Sequence, residues 1–393
     1  MTATLSAATE ALLGVYRRPP VEFVRGSGVE LFDADGKSYL DFAAGIAVNA
    51  LGYADAGLER AMRNATESSL IHVSNLYRSQ PGERLADRLV EKSFADRVFF
   101  CNSGAEANEA AFKLARRWGG TAGGAAKHEI VALRGGFHGR LFGTLAATDR
   151  PQYRAPFRPL AGGISICERD LDELAAQLNP ETVAAVIVEP IQGEGGVRVL
   201  DPAFLRGLRT LTRERNVLLI LDEIQCGYGR TGHFWAYEHT GITPDVLTVA
   251  KPMAGGLPMG AVLATADAAA ALQPGDHGTT FGGGPFVASV ALHVLDRLSD
   301  PVLLAHVRER GAEMQGALTA LQESCPKVRA VRGTGLMWGI DVAEPAKDIV
   351  ARAMDLGLLI CSAGEHTVRL IPPLVLGSAD LHRGIALLNT AIG

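Results

Sequence analysis

Cysteine is scarce in this chain: five among 393 residues, at 101, 167, 226, 325 and 361, with no CxxC pair. An odd and scattered set argues against a disulfide framework and against a zinc site, so no metal is expected and a reducing cytoplasm is the simplest home. Long apolar runs are missing too, none approaching the ~18 uncharged residues of a membrane span. The first residues, MTATLSAATEALLGVYRRPP, lack the basic start and apolar core of a secretory signal. Neither sign of charge dominates: 38 Lys and Arg stand against 43 Asp and Glu, a net charge of −5. That balance speaks against nucleic acid or an anionic membrane surface as a partner. Two phosphate-binding signatures are absent, GxxxxGK[ST] and a GxGxxG following a strand. There is no internal repeat, and the one biased tract, GGTAGGAAK at 119–127, reads as a surface loop.

What is present is enough apolar sequence, 47% of the chain, to bury a large core and more than one domain. From about 55 to 275, short apolar runs at 97–100, 130–133, 184–188, 217–221 and 246–250 alternate with amphipathic helical stretches. These runs are almost uniformly apolar, as in a parallel sheet covered by helices on both faces. The reading is α/β, with a mostly parallel central sheet in a large domain over 56–280. After about 285 two helical patterns precede strand-like VRAVRG, LMWGIDV and VRLIPP, a smaller α+β domain over 281–393. Residues 1–55 hold two short strand patterns broken by a DADGK turn, a segment expected to join the smaller domain.

In open parallel sheets ligands bind beyond the carboxyl ends of the strands, so the residues there carry the information. After the first run, Ser103 and Glu106 have capping-box spacing, and Gly104 and Ala105 open an alanine-rich helix. Such a helix start favours an anion such as phosphate. After the second run, Phe137, His138 and Arg140 follow a glycine pair: a ring that can stack, and a guanidinium that can grip a carboxylate. Glu189 and Glu194 follow the third, five residues apart on one glycine-rich loop, which is not the opposed pair a glycosidase needs. Asp222 ends the fourth, where a desolvated carboxylate requires a cationic or N–H partner. Lys251 ends the fifth, where an apolar setting lowers an ammonium pKa and frees a nucleophilic amine.

Taken singly, each has an ordinary reading: a capped helix, a packed Phe beside a solvated Arg, a salt bridge, a lysine snorkelling to solvent. Taken together they fit one ligand with a phosphate, a flat ring, a ring nitrogen and an aldehyde. Pyridoxal 5′-phosphate is such a cofactor, held by a lysine with an aspartate against its pyridinium nitrogen.

The segments SGAEANEAAFKLAR, GGFHGR, EPIQGEGGV, LLILDEIQCGYGRTG, the Lys251 segment, HGTTFGG and VRLIPPL occur here in the order seen in the fold-type I, class-III aminotransferases. The chain resembles that family from about 15 to 385, and within it the branch acting on N-acetylornithine. The resemblance implies that Lys251 binds the cofactor and shuttles a proton, while Asp222 pairs with the ring nitrogen. It places Ser103, Gly104 and Ala105 at the phosphate, Phe137 on the ring face, Gln225 near the ring 3-oxygen, and His138 and Glu189 around the cofactor. Thr280 would reach the phosphate of a neighbouring subunit, which implies a homodimer with shared active sites. Arg369 would take the glutamate α-carboxylate and Glu194 would neutralise it when the other substrate binds. Arg140, helped by Thr279, would hold the far carboxylate.

The implied reaction is ping-pong transfer of an ω-amino group from N-acetylornithine to 2-oxoglutarate, through pyridoxamine phosphate, in arginine biosynthesis. Succinylornithine, N-succinyl-diaminopimelate, ornithine, 4-aminobutyrate or a carrier-bound lysine precursor are alternative donors, and a PLP aminomutase or a non-enzymatic binding protein are alternatives in kind. Three positions depart from the family pattern: GGGP at Gly284 for GGNP, KPMAGG for KALGGG, and GYADAG, with Tyr53, for GHxHP.

Overall fold

The computed structural model describes residues 11–393, so the first ten residues of the segment expected at 1–55 lie outside the described residues. Its centre is a seven-stranded sheet: β1 (Arg97–Cys101), β2 (Glu129–Leu133), β3 (Ile164–Cys167), β4 (Val183–Val188), β5 (Leu218–Asp222), β6 (Val246–Val249) and β7 (Gly260–Ala264). The spatial order is β1-β7-β6-β5-β4-β2-β3. Pairings β6-β5, β5-β4, β4-β2 and β2-β3 are parallel, whereas β7 runs antiparallel to both β6 and β1. The five apolar runs of the sequence reading are β1, β2, β4, β5 and β6; β3 and β7 are additions.

Alternate residues along each strand feed two cores. Ile130, Ala132, Leu218 and Ile220 face one side, packing with Ala107, Ala111 and Leu114 of α1 (Gly104–Ala122). Val131, Leu133, Leu219 and Leu221 face the larger core on the other side. The alanines of α1 let a helix backbone approach the sheet closely, which positions its first turn at the sheet's carboxyl edge.

The tract 119–127 is a surface loop only in its second half: residues 120–126 are exposed, but the first four residues are helical and both ends are buried. Helix α1 continues to Ala122, Gly119 is buried, and Lys127 is buried with Nζ donating to the carbonyls of Pro180 and Asn216. A Cβ at Gly119 would stand 2.1 Å from the Lys127 carbonyl oxygen, while one at Gly120 would meet nothing within 4 Å. Gly119→Ala is therefore expected to lower stability by about 1–3 kcal/mol through overpacking. Gly120→Ala should raise it by roughly 0.5–1 kcal/mol, because alanine loses less backbone freedom in a helix. Urea denaturation of both variants checks the opposite signs.

Among the described residues there are three smaller sheets, one of them only the short antiparallel pairing of Ile191–Gln192 with Arg198–Val199. Phe23–Ser27, Glu30–Asp33 and Ser38–Asp41 form an antiparallel set, and Leu358–Leu359 from the far end of the sequence adds to Ser38–Asp41 in parallel. The first expected strand pattern is thus split, at Gly28 with φ 58°. Val328–Thr334, Met337–Val342, Thr367–Leu370 and Cys361–Ser362 make the third, antiparallel throughout. Helix Pro285–Leu298 packs on helices Ala56–Glu67 and Gln80–Glu91, and also on the turn Lys251–Ala254. It therefore braces the segment that follows β6.

Candidate active site

Four strand ends and one helix start converge on a cleft of about 400 Å³, lined by Asn102, Ser103, Gly104, Ala105, Phe137, His138, Arg140, Glu189, Asp222, Gln225 and Lys251 among others. Asp222 is the last residue of β5, and Lys251 opens the turn after β6. Gly255 (φ 60°) and Gly256 (φ 104°) then carry the chain away through conformations that favour glycine.

At the helix start, Ser103 Oγ accepts from the Glu106 N–H at 3.2 Å, as the spacing predicts. The Glu106 carboxylate reaches one residue further than a capping box requires, to the Asn102 N–H at 2.6 Å. Among the described residues neither Gly104 nor Ala105 has an acceptor for its N–H, so two first-turn donors remain for an anion. Gly104 itself has a packing role: a Cβ there would lie 2.8 Å from Ile224, in the loop that follows Asp222.

Asp222 is 3% exposed and well satisfied. Its Oδ2 takes the Asn108 amide and His138 Nδ1, both at 2.8 Å, and its Oδ1 takes the Ile224 N–H at 3.1 Å. The Thr148 hydroxyl accepts the His138 N–H at 2.9 Å and so fixes the loop that presents the imidazole. Glu189 clamps two loops, accepting the Phe137 N–H at 2.8 Å and the Gly193 N–H at 3.2 Å. Burial raises its carboxyl above the ordinary range, with His138 and the two N–H groups opposing the rise and Asp222 adding to it. Burial likewise lowers the Lys251 ammonium, reinforced by Arg369 and opposed by Glu194, Asp222 and Glu189. The lysine is thereby biased toward the free amine.

Beside the cleft, Arg369 of strand Thr367–Leu370 donates through Nη1 to Glu194 Oε1 at 2.5 Å and to Gln225 Oε1 at 2.9 Å. Its Nε faces Cys361 Sγ at 3.4 Å. Burial alone would raise the Glu194 carboxyl, but the guanidinium overrides it and the net shift is downward. Arg140, at the exposed side of the cleft, stacks its guanidinium 3.6 Å from the Tyr153 ring centroid and forms no ion pair among the described residues. Thr279 and Thr280 do not line this cleft. They line a neighbouring one with Leu141 and Phe281, and Asn102 borders both, its amide donating to Thr279 Oγ1 at 3.1 Å.

Sequence reasoning misses Asn108, Thr248 and Asp41. Asn108 lies inside an alanine-rich helix and Thr248 inside an apolar strand, where nothing in the pattern distinguishes them. Asp41 accepts the Ala43 and Ala44 N–H groups, both at 2.8 Å, and the Tyr53 hydroxyl at 2.6 Å. It anchors a turn with positive φ at Ala44, Gly45, Ile46 and Ala47, just before Val48 at the cleft wall. The departure at Tyr53 is thus a hydrogen-bond partner of this turn. Gly284 starts helix Pro285–Leu298 without a side-chain cap.

This donor set suits a pyridine ring bearing a phosphate and an aldehyde: a partly buried amine, a carboxylate at the strand edge, and free N–H groups at a helix start in one cleft. The family profile for Aminotransferase class-III matches residues 15–392, and the chain belongs to that family of pyridoxal-phosphate enzymes. Its similarities within the family are closer still. It is 46% identical over 386 residues to the acetylornithine aminotransferase of Gloeobacter violaceus, covering 98% of this chain and 96% of that one. The crystal structure of N-acetylornithine aminotransferase from Stenotrophomonas maltophilia K279a superposes with TM-score 0.83 at 36% identity, covering 95% of both chains. Ornithine aminotransferase from Toxoplasma gondii ME49 superposes with TM-score 0.92 at 30% identity, covering 97% and 92%. Backbone similarity is thus greater to the ornithine enzyme and sequence identity to the acetylornithine one, so shape alone does not set the substrate. Among the described residues no helix is long and apolar enough to cross a membrane, and no group of three His, Cys, Asp or Glu could hold a metal.

Proposed function

We propose that this aminotransferase moves the ω-amino group of N-acetylornithine to 2-oxoglutarate, in two half-reactions at one site. The observation that carries the reading is the closed pair of Arg369 and Glu194 beside Lys251 and Asp222. Glutamate brings a carboxylate on the reacting carbon, whereas an ω-amine brings only hydrogen there. A guanidinium that either takes that carboxylate or is neutralised by Glu194 serves both. The similarity to acetylornithine aminotransferases over nearly the whole chain supports the choice of donor.

Pyridoxal phosphate supplies the electron sink for the carbanion left when the substrate loses its proton. Lys251 would hold the cofactor through its amine and move the proton at the substrate carbon. Asp222 would accept from the ring nitrogen. Ser103, Gly104 and Ala105 would hold the phosphate, and Phe137 and Gln225 would hold the ring. His138 and Glu189 fix these loops. Arg140 takes the far carboxylate of either substrate; Thr279, which lines the neighbouring cleft, would add its hydrogen bond there only from a second copy of the chain. A second copy of the chain supplies Thr280 to the phosphate. Supporting that homodimer, Thr280 is exposed, and Leu76 (87% exposed), Tyr77 (70%) and Phe281 (65%) line or flank the clefts that hold it.

The test is a half-reaction panel with purified holoenzyme. Acetylornithine alone should discharge the cofactor's visible absorbance stoichiometrically, and 2-oxoglutarate should restore it. No change with acetylornithine, together with a fast change on ornithine, 4-aminobutyrate or succinylornithine, would reassign the donor.

A further inference from the structure

Behind the cleft a chain of buried polar groups runs from β6 to Asp222, and its donors and acceptors can be assigned without ambiguity. Asn108, the fifth residue of α1, and Thr248, inside β6, are both fully buried. Asn108 Nδ2 lies 2.8 Å from Asp222 Oδ2 and 2.8 Å from the His138 carbonyl oxygen, while Asn108 Oδ1 lies 2.7 Å from Thr248 Oγ1. A carboxylate and a carbonyl can only accept, so both must face the amide nitrogen. The amide oxygen is thereby turned to Thr248, whose hydroxyl has to donate. The same logic puts the proton of His138 on Nδ1, because its partner is Asp222 Oδ2 at 2.8 Å. Asp222 Oδ2 is then filled by two donors, and Oδ1, which holds only the Ile224 N–H at 3.1 Å, is the oxygen left for a further donor.

We infer that Asn108, seated by Thr248, is a positioning residue for the cofactor ring: it occupies one oxygen of Asp222 and presents the other to the ring nitrogen. The inference rests on the pairing of Asp222 with that nitrogen proposed above. A bare carboxylate at a strand end could rotate about its last bond. Here two helix- and loop-borne donors lock one oxygen, and the strand next to β5 holds the lock through Thr248. The buried amide also keeps water from competing for Oδ2, since neither Asn108 nor Thr248 has exposed surface. In this it acts as outer-shell partners of metal ligands do, orienting the group that touches the cofactor and tuning its basicity.

The experiment uses holoenzyme reconstituted with cofactor labelled with ¹⁵N in the ring. The readouts are the ring-nitrogen chemical shift at fixed pH and the cofactor dissociation constant. Asn108→Ala and Thr248→Val should move the signal toward the unprotonated ring and weaken cofactor binding by about tenfold or more, the scale of outer-shell losses. Thr248→Ser, which keeps the hydroxyl, should retain the wild-type signal. If Asn108→Ala does not fold, Thr248→Val carries the test, since it swaps a hydroxyl for a methyl of similar size. An unchanged ring-nitrogen signal in these variants, with only thermal stability lost, would make Asn108 a structural residue and overturn the inference. Asp222→Asn separates the two levels. If it leaves the signal unchanged, the pairing of Asp222 with the ring is itself wrong; if it moves the signal while Thr248→Val does not, only the role of Asn108 fails.

Discussion

Lys251→Ala is expected to reduce kcat by roughly 10⁴-fold or more, because on the proposed assignment it removes both the amine that would bind the cofactor and the group that would move the substrate proton. The lysine is placed by an apolar strand that cannot shift without exposing Val246, Leu247 and Val249. Helix Pro285–Leu298 braces the turn it begins. Burial lowers its ammonium pKa, so at neutral pH a larger share is free amine than for an ordinary lysine, and that share declines as pH falls. Lys251→Arg keeps the charge but offers no free amine, so it should be as inactive as the alanine variant. Steady-state assays with melting curves check both; activity within tenfold of wild type in either would contradict the assignment.

Arg369→Ala should divide the two half-reactions. The guanidinium is buried, with bonds to Glu194, Gln225 and Cys361. A charge-assisted contact of this kind, lost from a desolvated site, costs about 2–5 kcal/mol, or roughly 30- to several-thousand-fold in kcat/KM. That loss should fall on 2-oxoglutarate and glutamate. The acetylornithine half-reaction should change by less than about tenfold, a lost hydrogen-bond contact at most. Glu194→Ala should do the reverse, since it leaves Arg369 unneutralised when no α-carboxylate is present. Single-turnover rates with each substrate read the split, and equal losses in both half-reactions would exclude the switching role.

Much of this site is legible in the sequence because its groups stand at the ends of apolar strands, where pattern and chemistry coincide. Asp222 after LLIL and Lys251 after VLTVA are of this kind. What escapes is whatever depends on neighbours distant along the chain. Strand β7 follows a glycine-rich turn and reverses direction to pair with β1, which no local pattern announces. Strand β3 is a four-residue piece whose first three residues are only partly buried, too short to give a periodic signal. Asn108 reads as one more helix residue until the fold brings it 2.8 Å from Asp222, which is 114 positions away. The tract 119–127 misleads in part: residues 123–126 are the exposed loop its glycines suggest, yet Gly119 is helical and small because the Lys127 carbonyl crosses the helix there. Arg140 is visible as a cation near a strand end, but its seat on Tyr153 is a tertiary contact.

The central claim is that Lys251 is the residue that binds pyridoxal phosphate and gives it up to acetylornithine. Borohydride reduction of the holoenzyme, followed by peptide mass spectrometry, tests it most directly. The account predicts the reduced cofactor on the peptide containing Lys251, and its loss when the enzyme is first mixed with acetylornithine. Label on another lysine, or label on Lys251 that acetylornithine leaves in place while the enzyme turns over, would contradict it.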